Sequence, residues 1–142
     1  MKKITFLVLL LIATVSCSND DNDNNKEIYF GKWTLTFMSR NNSPLANSIP
    51  VIEWQETYNF SSKGKFAKTR TKDGKTKTVV GTYSVNKVED RIELKLKYTA
   101  QNDIIGTCSS DLTENLFILN NTGTLYNGWS LCKGPQIAYE KI

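Results

Sequence analysis

The sequence predicts an all-β domain, a small antiparallel up-and-down β-barrel of about eight strands. Apolar residues recur at every second position from Ile28 onward, which sends one set of side chains to a dry face and the other to water. Turn-forming residues interrupt that alternation at intervals too short for the crossover helices of a parallel sheet. No stretch carries a sustained helical stripe. Consecutive hairpin-linked strands make either a closed barrel or a small sandwich. Closure removes the exposed edges an open sheet would present, and the barrel is the expected form.

The chain begins with a leader rather than with the fold. Lys2 and Lys3 precede an apolar run from Ile4 to Val15, broken only by Thr5 and Thr14. A basic start and about a dozen apolar residues make a secretory signal, too short to span a bilayer comfortably as a helix. Ser16-Cys17 follows directly. This resembles the lipobox of bacterial lipoproteins, although Thr14 stands where that pattern usually has Leu. The resemblance implies that residues 1–16 are removed and that Cys17 is lipidated, anchoring the chain to a membrane. The alternative is ordinary cleavage near Ala13, which leaves Cys17 as a free thiol.

Residues 18–27 contain no apolar side chain and carry four acids against one base, so nothing there offsets the entropy of ordering. They read as a tether with a mean reach of ~17 Å and a stretched limit of ~35 Å. Asp20, Asp21 and Asp23 resemble the export signal that sends some Gram-negative lipoproteins to the cell surface. The expected location is therefore the outer membrane, facing outward. The alternative is a plain soluble spacer on a lipoprotein of the periplasmic face.

The domain proper covers 28–142. Trp33, Leu35 and Phe37 alternate with Thr34, Thr36 and Met38, and Ile52, Trp54, Glu56, Tyr58 and Phe60 share one face. At 91–98, Ile92, Leu94, Leu96 and Tyr98 alternate with Glu93, Lys95 and Lys97. Strands are expected over 32–39, 51–60, 65–72, 75–85, 91–99, 104–112, 115–120 and 135–142. Segment 124–133 is either a further short strand or a loop pinned by Cys132. Ser61-Ser62-Lys63-Gly64, Asn86 to Asp90, Thr113-Glu114-Asn115 and Asn120 to Gly123 mark reversals, and 41–49 is a polar loop around Pro44. Asp73-Gly74 is the preferred pair for a two-residue type I′ turn.

Gly31-Lys32-Trp33, opening the first strand soon after the tether, resembles the Gly-x-Trp start of lipocalins. The segment Gly81-Thr82-Tyr83-Ser84-Val85 and the ending Gly134-Pro135 with Tyr139-Glu140-Lys141 extend the likeness. Over 28–142 the chain resembles the lipocalin-like domains of small bacterial lipoproteins, which implies a barrel with a ligand cup. Two lipocalin features have no counterpart: the C-terminal helix, and the arginine that covers the Gly-x-Trp tryptophan, for which Lys141 is the nearest candidate.

Composition narrows the chemistry. The chain has 142 residues, 39% apolar and 11% aromatic, enough for one domain with a real core. It has no histidine, which excludes Ser-His-Asp and Cys-His nucleophiles, His-containing zinc sites and an imidazole switch. No glycine-rich phosphate loop, usable carboxylate pair or activated nucleophile appears, so neither an enzyme nor a cofactor is expected. With Cys17 acylated, Cys108 and Cys132 remain as an even pair in an oxidising compartment. A disulfide between them would stabilise by ~3.5 kcal/mol on the chain-entropy model. Two reduced buried thiols are the alternative, and no metal site is expected.

Two candidate sites follow. The first is the barrel interior, where Trp33, Phe37, Trp54, Glu56, Tyr58, Phe60, Tyr83 and Tyr98 are expected to face inward. Such a set either lines a cup for a small apolar or amphipathic molecule or fills the barrel as core. Glu56 is its odd member. It is either a polar anchor near Arg70 or Arg91, or a carboxylate at the mouth in water or in a plain ion pair.

The second is the hairpin around Asp73, where Lys68, Arg70, Lys72, Lys75 and Lys77 form a basic patch. Across a two-residue turn Lys72 faces Lys75 and Arg70 faces Lys77, a repulsive arrangement. The patch either grips an anionic polymer, lipid headgroup or protein, or simply protects a solvated hairpin from aggregation. Few aromatics interleave with it, so nucleic acid is not expected. The domain is expected to be a monomer.

Overall fold

Alternation is realised as eight strands in the structure, a computed structural model that describes residues 27–39 and 51–142. They are β1 (Gly31–Ser39), β2 (Gln55–Phe60), β3 (Lys65–Lys72), β4 (Lys75–Lys87), β5 (Arg91–Tyr98), β6 (Thr113–Leu119), β7 (Leu125–Asn127) and β8 (Gln136–Lys141). Each pairs antiparallel with the next, and β8 returns to β1, closing an up-and-down barrel. The one helical element among the described residues is a 3-10 turn, Gly128–Cys132, held at its start by the Asn127 side chain. The leader, Cys17, nearly all of the tether and the 41–49 loop lie outside the described residues.

Strand boundaries depart from the sequence reading in three places. Residues 104–112 form a loop and not a strand. Thr113-Glu114-Asn115 opens β6 instead of turning the chain, because Glu114 continues the buried alternation of Leu116 and Ile118. Residues 51–54 lead into β2 and stay outside the sheet. The count of eight survives because 124–133 supplies the short β7.

The Asp73-Gly74 turn is as expected. Both residues have positive φ (51° and 71°), as a type I′ turn demands, and Lys72 pairs with Lys75 across it.

Connections of an up-and-down barrel alternate ends. At one end lie residues 27–30 with the β2–β3, β4–β5 and β6–β7 turns. At the other, here called the mouth, lie the β3–β4 turn, the 99–112 loop and the 3-10 turn. Aromatics close the first end. Trp33 is fully buried and donates from Nε1 to the Tyr29 carbonyl at 3.0 Å, and the Lys141 ammonium lies 5.9 Å from the centre of its ring. Tyr83 packs edge-on against Phe60 and Tyr29.

The apolar core continues inward through Phe66, Leu94, Leu96, Ile118 and Leu125. At Gly81 a Cβ would come within 2.1 Å of the Lys97 carbonyl oxygen and 2.7 Å of the Phe66 ring. Its bareness lets Phe66 and Tyr98 meet edge to face at 5.0 Å.

A bulge corrects one inward assignment. The β1–β8 register shifts between Leu35 and Phe37, so Met38 turns into the core and Phe37 is left half-buried.

Candidate functional site

Beneath the mouth, the interior is ionic. The β2–β3 register pairs Glu56 with Arg70 and Tyr58 with Lys68, which places Lys68 and Arg70 on the same inner face as Phe66. Lys68 is fully buried and Arg70 is 9% exposed. The expected solvent-exposed patch therefore loses both residues. Each has a buried carboxylate to hold it, which is the condition for taking a cation out of water.

Lys68 Nζ donates to both oxygens of Glu114, at 3.0 and 3.3 Å, and lies 3.3 Å from Glu56 Oε1. Arg70 Nε donates to the other Glu56 oxygen, and an Arg70 terminal nitrogen donates to the Ile104 carbonyl at 3.2 Å. Tyr139 donates to Glu56 at 2.6 Å. Tyr98, Asn127 and the Gly106 backbone N–H, the last at 3.1 Å, all donate to Glu114.

Two acids and two bases thus neutralise one another out of water. Burial pushes the Glu56 carboxyl up, but Lys68 and Arg70, helped by the Tyr139 hydroxyl, reverse this and hold it below the usual glutamate range. The phenols of Tyr58, Tyr98 and Tyr139 are pushed up by burial and then by the nearby carboxylates. The Tyr58 hydroxyl sits beside the other two but outside hydrogen-bond geometry.

The residues expected to line a cup divide into four groups. Trp33, Tyr58, Phe60 and Tyr98 are buried against one another as core. Glu56 is buried in the ion network, with Arg70 as its partner, while Arg91 pairs with Glu93 elsewhere. Phe37 and Trp54 are not inside: Phe37 follows the bulge, and Trp54 stands at the rim ahead of β2, half-buried. Tyr83 faces the closed end, also half-buried, where its hydroxyl donates to the Ser61 carbonyl.

Above the network lies a rim recess of about 430 Å³, walled by Arg70, Lys72, Lys75 and Lys77 with Asp73, Asp103 and Ile104. The Trp54 ring braces its cations: the Arg70 guanidinium lies 4.3 Å and the Lys72 ammonium 5.4 Å from the ring centre. Lys77 donates to both oxygens of Asp103 at 2.7 Å. The 99–112 loop that carries Asp103 is bonded to the 3-10 turn by the Cys108–Cys132 disulfide, with a Cα–Cα distance of 5.5 Å.

A separate recess of about 480 Å³ lies on the outer wall, bordered by Phe117, Tyr126 and Leu131. Among the described residues no group of three or more His, Cys, Asp or Glu side chains is placed to hold a metal.

Glu114, Asn127, Tyr139 and Asp103 are absent from the sequence-level list of sites. For Glu114 the signal is present, since it stands two and four residues before Leu116 and Ile118. Asp103 belongs to no periodic pattern, and only the fold brings it to Lys77. No protein-family model, curated protein or solved structure matches this chain.

Proposed function

We propose that this chain is a membrane-anchored, lipocalin-like lipoprotein whose barrel is filled and whose mouth binds an anionic group of a partner. The observation that carries the reading is the rim recess of about 430 Å³, where Lys72, Lys75 and Lys77 stand against Asp73 and Asp103, and Arg70 in its wall is already held by Glu56. Lys72 stands opposite Lys75 across the ladder, and the two like charges repel. An anion placed among them relieves that repulsion, and steering by a net positive domain speeds its arrival.

The interior supports a filled barrel over an apolar cup, because the aromatic side chains and the Lys68–Glu56–Glu114 cluster occupy the inner positions. Lys141 over the Trp33 ring supports the lipocalin-like part of the reading. Anchoring rests on the likeness of Ser16-Cys17 to a lipobox, and outward display on the acidic run after it. The function so read is binding without a reaction.

The test is a binding titration of the full chain against polyglutamate, a sulfated polysaccharide and vesicles containing anionic lipid, at low and high salt. The Debye length shrinks from about 10 Å at 0.1 M to about 3 Å at 1 M. Binding to at least one probe should weaken over that range and disappear when Lys72, Lys75 and Lys77 are together changed to Gln. Binding to none, or binding indifferent to salt and to the triple substitution, would overturn the proposal.

A further inference from the structure

Asp103 is a wall of the recess that already pairs with one of its cations. Its carboxylate reaches in from the 99–112 loop, meets Lys77 Nζ with both oxygens at 2.7 Å, and feels the Arg70 charge beyond. Hydrogen bonding to Lys77 holds its carboxyl below the usual aspartate range. The loop is seated for this purpose by two flanking bonds: Asn102 Oδ1 accepts from the Ile104 N–H at 3.0 Å, and the Ile104 carbonyl accepts from Arg70 at 3.2 Å.

The ion pair itself is open to water, with the Lys77 and Asp103 side chains 56% and 69% exposed. Pairs so exposed are weak and exchange easily. Next to it, Lys75 has no ion pair among the described residues, and Lys72 rests on the Trp54 ring. One carboxylate is already bound, and two further cations stand ready beside it.

We propose that the mouth recess takes the carboxylates of an acidic peptide segment, and that Asp103 is its built-in competitor, displaced from Lys77 when the partner arrives. This rests on the anionic-partner reading above and adds the chemistry of the partner. A loop aspartate is the group that Lys77 meets now, through both carboxylate oxygens, and a carboxylate of a partner can make the same contact. Lys72 and Lys75 supply a place for a second acid of the same segment. A volume of about 430 Å³ admits a few side chains.

The experiment compares two substitutions that remove the same charge. Asp103→Asn frees Lys77. Asp73→Asn raises the positive charge of the recess equally without freeing it, and asparagine suits the left-handed turn position of Asp73. The probe is a capped tetra-aspartate peptide titrated into the full chain at low salt, with inorganic phosphate as the second arm.

Asp103→Asn should bind the peptide about two- to fivefold more tightly than Asp73→Asn does, the factor expected for removing one exposed ion pair. Phosphate at equal charge concentration should compete poorly. Equal tightening in the two variants while the unsubstituted chain binds the peptide, or displacement by phosphate as effective as by peptide, overturns the competitor role and leaves the anionic mouth standing. Failure of every anionic probe to bind overturns both.

Discussion

Glu56 is a carboxylate with two cations, Lys68 and Arg70, and one hydroxyl, Tyr139, arranged around it in a space closed to water. A buried ion pair contributes little by its mere presence, because desolvation cancels much of the attraction, but breaking it leaves a charge with nothing to hold it. Glu56→Gln keeps the shape and strands Arg70, so it should cost about 3–5 kcal/mol at neutral pH.

The carboxyl binds its proton less readily in the fold than in the unfolded chain. Its stabilising effect is therefore complete above the ordinary glutamate range and lost as pH falls from about 4 downward through the depressed value. Urea denaturation across that range should show an acid limb in the parent that is flatter in Glu56→Gln. An equal limb in both would place the acid sensitivity elsewhere.

The strands show what alternation can and cannot reveal. In β5 every second residue is apolar, and Ile92, Leu94, Leu96 and Tyr98 are all buried as expected. In β3 the same alternation runs Phe66, Lys68, Arg70, and a cation ordinarily marks the wet face. Its burial depends on Glu56, 12 residues away across the β2–β3 hairpin, and on Glu114, 46 residues away, which only the closed barrel brings to Lys68. Phe37 is a local failure of another kind, since one shifted register in β1 reverses which side chains enter the core. The disulfide was legible by counting cysteines, whereas the contact of Asp103 with Lys77 was not, because a loop has no period.

Gly81 marks the point at which β4 yields its side chain to the Phe66–Tyr98 contact. Gly81→Ala should destabilise by about 1–3 kcal/mol, the usual cost of overpacking, read as a lowered melting temperature. An unchanged melting temperature would mean that the β4–β5 ladder can open to admit a methyl group.

Across the whole molecule, charge is partitioned. Residues 28–142 carry 15 Lys and Arg against 10 Asp and Glu. Among the described residues the interior withdraws two of each, so the core is neutral. The same closure that hides the strand edges brings the 99–112 loop, the hairpin tip and Trp54 together at one end. On the proposed reading, binding rests with a few side chains at the rim of a filled barrel.

The most direct measurement is a crystal structure of the chain purified from the cells that make it, with whatever it carries. The account predicts Lys68 between Glu56 and Glu114, Phe60 and Tyr98 packed in the core, and no foreign density inside the wall. Density for a lipid-sized guest within the barrel, with Lys68 turned away from both carboxylates, would contradict it.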